Sequence, residues 1–158
     1  MSKKRILVDL SATLLHHGHI RLLQKAAELG SVVVGLTTDD EVLGKKGYTP
    51  ELPFAARKEI LESIRYVDEV LPSPWLIDDA YLERHNIDLL VHGDDNSNHV
   101  AREKLVIFPR TEGISSSEMR ERVLDTIIAL NLGNNPGLTS EKLADLLIRT
   151  IKKEFRLD

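Results

Sequence analysis

The sequence contains no cysteine, which excludes a disulfide framework, a thiolate metal site and a cysteine nucleophile. Aromatic residues make up only 4% of the chain, and this disfavours an aromatic cage for a quaternary ammonium group. There is no run of about 18 apolar residues and no signal-peptide pattern, so we expect a cytoplasmic protein without a membrane segment. The formal net charge of −4 argues against a general nucleic-acid surface. A local positive cluster must therefore hold any anionic ligand.

The chain of 158 residues, 42% of them hydrophobic, is long enough to bury one sizeable core. Apolar runs alternate with segments of helical periodicity. The predicted strands are Arg5–Leu10, Ser31–Thr37, Val67–Leu71, Ile87–His92 and Val106–Phe108. Helices are predicted after the first histidines and over Ala55–Ile64, Ile77–His85 and Glu118–Leu130. This order predicts an α/β fold with a doubly wound, five-stranded parallel sheet.

Two imidazoles flank a glycine where the first strand gives way to a helix. His16 and His19 are three residues apart around Gly18. The unpaired N–H groups and the positive dipole end of a helix start attract anions, and the glycine lets an anion approach the backbone. Imidazoles one turn apart can both donate hydrogen bonds to the same anion. The pattern therefore predicts a polyphosphate site at the mouth of the first helix.

Ligands of doubly wound sheets bind beyond the carboxyl ends of the strands. Three polar clusters fall there in the predicted order of elements: the histidine pair, Gly93–Asn96 after the fourth strand, and Arg110–Thr111 after the fifth.

The end of the chain follows a different pattern. Gly133–Gly137 contains helix-breaking residues, and a second helical pattern begins at Thr139. We expect one domain over residues 1–130 and a helical extension over 131–158. The amphipathic extension is expected to pack on its own domain or on a dimer partner.

Two motifs resemble one enzyme family. Arg110–Ser117 closely resembles the R-T-x-G-I-S-T-T signature of the cytidylyltransferases, and His16–His19 matches their H-x-G-H motif. Arg57–Val70 resembles the glycerol-3-phosphate enzymes. Pro72–Trp75 resembles the phosphocholine and phosphoethanolamine enzymes, and Val91–Asp94 resembles the phosphoethanolamine group. The resemblance implies a Rossmann-like nucleotidyltransferase sheet, to which the predicted C-terminal helix is added.

The resemblance also implies a reaction. A phosphate oxygen of a small phosphorylated alcohol, amino alcohol or phosphonate would attack the α-phosphorus of CTP, giving a CDP-linked product and pyrophosphate. No enzyme nucleophile is required, because such chemistry depends on positioning and charge neutralisation. Mg²⁺ would be carried by the nucleotide, so we expect no protein metal site. A homodimer is the assembly that the resemblance implies.

The resemblance assigns roles residue by residue. The catalytic residues would be His16, His19, Lys45 and Arg110, with Lys45 on a mobile loop near the phosphates. The nucleotide site would include Leu10, Ser11, Gly18, His92, Gly93, Asp94, Thr111, Ser115 and Ser116. The acceptor would be bound by Arg57, Arg65 and Trp75, with either arginine clamping the acceptor phosphate.

Structural explanations of the same residues stay open. Ser115 and Glu118 also form a capping-box pattern, and Lys45 with Lys46 is also typical of an exposed loop. Arg57 is also compatible with an ion pair on its helix, His92 with support of the sheet end, and Trp75 with the core.

The chain departs from the family at one point. Leu10-Ser11-Ala12-Thr13 stands where the family usually reads G-T-F-D. A leucine adds bulk and cannot reach the dihedral angles open to glycine, so we expect a pocket reshaped for another acceptor. Two alternatives remain: an ATP-dependent adenylyltransferase, and a nucleotide-binding regulatory protein that lost turnover.

Overall fold

The structure is a computed structural model that describes residues 3–132 and 139–155. The chain divides into two compact units, Met1–Ser116 and Ser117–Asp158. The predicted break at Gly133–Gly137 lies outside the described residues. Within the described ranges, no helix has both the length and the apolar character needed to cross a membrane.

A five-stranded sheet forms the first unit, and every strand pair in it is parallel. The strands are β1 (Arg5–Leu10), β2 (Ser31–Thr37), β3 (Glu69–Ser73), β4 (Leu89–Gly93) and β5 (Leu105–Phe108). Their spatial order is β3-β2-β1-β4-β5. The predicted doubly wound parallel sheet is therefore confirmed.

The helices are α1 (His17–Leu29), α2 (Asp39–Lys46), α3 (Phe54–Glu62), α4 (Asp79–Arg84), α5 (Ser116–Leu132) and α6 (Ser140–Phe155). A short 3₁₀ turn over Arg102–Lys104 precedes β5. The second unit contains α6 and nearly all of α5.

Apolar side chains cover both faces of the sheet. On one face, Ile6, Val8 and Leu10 of β1 pack with Leu23 of α1 and Leu61 of α3. On the other face, the strand residues Leu7, Val33 and Leu90 pack against Tyr81 and Leu82 of α4. Because successive strand side chains point to opposite faces, a strand buried on both sides needs apolar residues on both faces, which β2 has and β1 has apart from Asp9.

The topology fixes where a ligand site is expected. The chain leaves β1 toward β2 and β3 on one side, and it places β4 and β5 on the other side. A crevice therefore opens beyond the carboxyl ends of β1 and β4. The histidines follow β1, and Gly93 ends β4.

Several details of the sequence prediction were wrong. β4 begins at Leu89, two residues after the predicted Ile87. β3 lies two residues later than predicted, because its pairing with β2 extends from Val33↔Glu69 to Thr37↔Ser73. Lys45 lies in helix α2 and not in a loop. That helix was not predicted, because only Val42 in it is buried and an apolar periodicity is missing.

Candidate functional site

His16 and His19 cap the start of α1. His16 Nδ1 accepts the backbone N–H of Gly18 at 3.2 Å, and His19 Nδ1 accepts the backbone N–H of His16 at 3.2 Å. This is the reciprocal arrangement of a capping box, built here from imidazoles. The two ring planes are tilted by 31° to each other, with their centroids 3.9 Å apart.

The capping bonds fix the tautomer of both rings. A neutral imidazole has one N–H donor and one acceptor nitrogen. Since Nδ1 accepts in both histidines, the proton of each neutral ring lies on Nε2. His16 and His19 can therefore each present an N–H donor at the start of the helix.

The surroundings keep His19 neutral. Burial lowers the pKa of His19 to about 3, and the nearby charges of His16, Arg110 and Lys46 act in the same direction. At neutral pH this ring is thus a hydrogen-bond donor without a charge of its own.

The structure brings the second motif to the same place. The hydroxyl of Ser116, the first residue of α5, donates to the carbonyl of Leu14 at 3.2 Å. A Cβ added to Gly18 would lie 3.4 Å from Ile114 Cγ2, so the two motifs are in contact. Gly113 has a φ of 70° in the turn between Arg110 and α5, a conformation that glycine reaches without strain.

Arg110 pairs with Asp95, which belongs to the polar cluster predicted after the fourth strand but was assigned no role there. Its NH1 donates to Asp95 Oδ2 at 2.9 Å, while the predicted Asp94 is exposed at the end of β4. The pair crosses over Gly93, where a Cβ would lie 2.9 Å from Asp95 Oδ1 and 3.2 Å from Arg110 Cγ. Gly93 therefore serves this site by having no side chain.

His92 lies between two carboxylates. Its Nε2 is 3.7 Å from Asp9 Oδ2, and its Nδ1 is 3.6 Å from Asp95 Oδ1. Asp9 in turn accepts a hydrogen bond from Asn98 Nδ2 at 2.9 Å. Burial raises the pKa of Asp9 to about 6, although Asn98 and His92 act to lower it. Neither Asp9 nor Asn98 was selected from the sequence.

Lys46, rather than Lys45, is the lysine that reaches the site. Its Nζ donates to Ser11 Oγ at 3.2 Å and lies 5.5 Å from the centre of the Trp75 ring. The Trp75 backbone N–H is held by Glu41 of α2 at 2.9 Å. Lys45 is exposed in the last turn of the same helix.

Leu10 is a core residue. It is paired with Leu36 in the sheet, and its side chain packs in the hydrophobic core. Leu10 thus adopts ordinary strand geometry, and the reshaping of the acceptor pocket stays a prediction. The unusual dihedral lies at Ala12, with a φ of 43°.

Arg57 is buried and heavily bonded, with only 1% of its surface exposed. Its Nε donates to the Leu52 carbonyl at 3.1 Å, its NH1 to the Ser11 carbonyl, and its NH2 to Asp39 Oδ1 at 2.6 Å. The side chain also lines a small, partly open cleft, whose other walls are Ala12, Leu15, Leu52, Ile60 and Leu61.

The structure does not bring Arg65 to the crevice. It lies between α3 and β3, where parallel strands begin, and its NH2 donates to the Tyr66 hydroxyl at 2.7 Å. The opposite edge of the sheet carries the histidines.

Comparison with known proteins identifies the family of this chain. Residues 12–122 match the cytidylyltransferase-like family model. The chain is 41% identical over 128 residues to the glycerol-3-phosphate cytidylyltransferase of Bacillus subtilis, covering 76% of this chain and 97% of that protein. It is 30% identical over 159 residues to a probable ethanolamine-phosphate cytidylyltransferase of Schizosaccharomyces pombe, covering 93% of this chain but only 43% of that protein.

A solved structure shares the fold. The lipopolysaccharide core biosynthesis protein of Thermoplasma volcanium superposes with a TM-score of 0.59 at 18% identity, covering 70% of this chain and all of that chain. This likeness shows the fold alone, whereas the family model and the sequence relatives show the family. The chain belongs to the cytidylyltransferase-like family, and it is an enzyme of the nucleotidyltransferase class.

Proposed function

We propose that this enzyme transfers CMP from CTP to the phosphate or phosphonate group of a small alcohol or amino alcohol. A phosphate oxygen of the acceptor forms a bond to the α-phosphorus of CTP. The bond from that phosphorus to the bridging oxygen breaks, and pyrophosphate leaves with the electron pair. The observation that supports the proposal best is the contact between the histidine motif and the segment from Arg110 to Ser116.

The chain's own residues supply charge neutralisation. Negative charge grows on the departing pyrophosphate, and the Nε2–H groups of His16 and His19 would donate to its oxygens. Arg110 and Lys46 add positive charge beside His19. Since no side chain is needed as a nucleophile, the enzyme acts by holding the two phosphates in line.

Mg²⁺ is proposed to arrive with the nucleotide. Triphosphate oxygens are the hard ligands this ion prefers, and the ion would neutralise charge on the β- and γ-phosphates. Among residues 3–132 and 139–155, no cluster of three or more metal-ligating side chains is present. The donors at the site, imidazole N–H, guanidinium and ammonium groups, suit the phosphates rather than the ion.

Pyrophosphate release with each nucleotide and a panel of acceptors tests the proposal. Glycerol 3-phosphate, phosphoethanolamine, phosphocholine and an aminoalkyl phosphonate are each supplied with CTP or with ATP, and products are identified by mass spectrometry. We expect a CDP-linked product from one acceptor. Turnover with ATP alone would support an adenylyltransferase instead. CTP binding without product from any acceptor would support a regulatory protein.

Substitution of the histidines separates chemistry from folding. Asparagine is a good N-cap, so His16→Asn keeps an acceptor for the helix N–H but loses the distal donor. We expect kcat to fall about a hundredfold with little loss of stability. His17→Asn is the matched control, because His17 is exposed and adjacent in the chain.

The homodimer and the cytoplasmic location remain parts of this proposal. Light scattering after gel filtration measures the dimer, and fractionation of the source cells measures the location.

A further inference from the structure

A chain of polar contacts runs from the core edge of β1 to Arg110. Asn98 donates to Asp9 at 2.9 Å, Asp9 faces His92 Nε2 at 3.7 Å, and His92 Nδ1 faces Asp95 at 3.6 Å. Asp95 then accepts from Arg110 at 2.9 Å. Five side chains from three separate parts of the sequence thus lie in one row along the crevice.

Asn98 anchors this row to the scaffold. Its Oδ1 accepts the Ile77 backbone N–H at 2.7 Å, while its Nδ2 binds Asp9. Its own backbone N–H donates to Asn96 Oδ1 at 3.2 Å, which folds the loop after β4 back on itself. Both ends of the amide are therefore used, and they join the loop carrying Asp95 to β1 and to the segment before α4.

Arg110 needs such an anchor. Its side chain is 51% exposed and that of Asp95 is 54% exposed, so this ion pair alone contributes little to a fixed geometry. The other oxygen of the Asp95 carboxylate lies 3.6 Å from His92 Nδ1, a nitrogen that is itself 3.2 Å from the Gly93 carbonyl oxygen. The close passage over Gly93 further limits where the Arg110–Asp95 pair can lie. The orientation of Arg110 thus depends on residues behind Asp95.

We propose that Asn98 is a positioning residue, which acts through Asp9, His92 and Asp95 to aim Arg110 at the phosphates of the nucleotide. This inference rests on the proposed function, since Arg110 must contact the nucleotide for its aim to affect turnover. Asn98 itself touches no reacting atom in this scheme.

A double-mutant cycle tests the coupling. Asn98→Ala is measured in the wild-type enzyme and in the Arg110→Ala variant, by kcat/KM for CTP. We expect a loss of about tenfold in the first background and less than about twofold in the second, because coupled residues are non-additive. An equal loss in both backgrounds overturns the proposal, since a purely structural defect would lower both alike. Ser97→Ala, an exposed change in the same loop, should leave kcat/KM unchanged.

The single variants distinguish the role of Arg110 in turnover from the positioning role of Asn98. If Arg110→Ala retains full activity, the role of Arg110 in the proposed function fails. If Arg110→Ala loses activity while a folded Asn98→Ala does not, only the positioning role fails.

A second variant and a second measurement guard against misfolding. Asn98→Asp keeps the shape and the acceptor for Ile77, but it removes the donor to Asp9. Nitrogen-15 relaxation of the Arg110 Nε–H group in the nucleotide-free protein should show a more mobile side chain in this variant than in wild type. Unchanged order of that group would overturn the proposal without any activity measurement.

Discussion

Replacement of Arg57 by methionine distinguishes a structural arginine from one that binds the acceptor. Methionine keeps most of the aliphatic volume, so the cavity left behind is small. It removes the three donors that join the Leu52 carbonyl, the Ser11 carbonyl and Asp39. If these bonds hold the fold, the variant must lose stability before any ligand is added.

The magnitude follows from the partners left behind. Each buried carbonyl that loses its donor costs about 1–3 kcal/mol. The ion pair adds less, because the side chain of Asp39 is 35% exposed and water can replace the guanidinium there. Release of a buried charge offsets part of the cost. We expect a net loss of about 2–4 kcal/mol, which lowers the melting temperature by roughly 10 °C for a chain of this length.

Urea unfolding measures this change. Trp75 is the only tryptophan, so its fluorescence and the far-ultraviolet circular dichroism give two independent probes of unfolding. Arg65→Met is the matched control, because Arg65 is exposed and its loss should change the free energy of unfolding by less than about 0.5 kcal/mol. A change below about 1 kcal/mol for Arg57→Met, together with a raised KM for the acceptor, would refute the structural reasoning.

The pH dependence offers a second check on Arg57. Partial burial alone would raise the pKa of Asp39, but the Phe54 N–H and Arg57 hold it below its usual value. A carboxyl group with a lowered pKa stabilises the fold above its unfolded pKa of about 4 and loses this contribution as the pH falls. The loss on acidification should be smaller in Arg57→Met than in wild type.

Three further predictions concern the site. The pKa of His19 falls to about 3 on folding, so its contribution to stability is complete above its unfolded pKa of about 6.5 and is lost as the pH falls toward 3. The His19→Asn variant should therefore show a flatter dependence of the free energy of unfolding on pH over this range. Lys46→Met should lower kcat/KM for CTP by about tenfold or more, whereas Lys45→Met should change it by less than about twofold. If steady-state kinetics give the opposite order, the role assigned to Lys46 from its contact with Ser11 is wrong. The pKa of Asp9 is raised to about 6, so its ionisation opposes folding above that pH. In a thermal melt at pH 8, Asp9→Asn should therefore be more stable than wild type. This difference in melting temperature should shrink as the pH falls below 6.

Strands buried on both faces were the easiest elements to predict. β1 and β2 have the predicted bounds, because every residue in an unbroken apolar run of such a strand meets a covering helix or a neighbouring strand. Val67 was assigned to β3 wrongly, because an apolar residue before the strand also packs on the core. Periodicity records burial and does not record which backbone groups pair.

The short helix α2 left a weaker signal. Thr38 accepts the Glu41 N–H at 3.4 Å, acidic residues occupy the first turn and lysines the last, and Gly47 ends the helix with a φ of 75°. These end signals were present in the sequence and would have found the helix. Recognising it would also have shown that Lys45 and Lys46 point in different directions.

Motif spacing predicted which residues meet, but not what supports them. The contact between Leu14, beside the histidine motif, and Ser116 spans 102 residues, and the predicted sheet had placed both motifs at the carboxyl ends of its strands. Asp9 lies within an apolar strand and Asn98 within an irregular loop, so neither shows a periodicity. Their bond joins residues 89 positions apart and depends on the strand order.

The imidazole capping box has a thermodynamic consequence for ligand binding. Both rings are immobilised by hydrogen bonds to the main chain of α1 in the free protein. Their conformational entropy is therefore lost during folding and not when a ligand arrives. A phosphate group meets donors that are already aligned, and the ordering that remains falls on flexible cationic side chains such as that of Lys46.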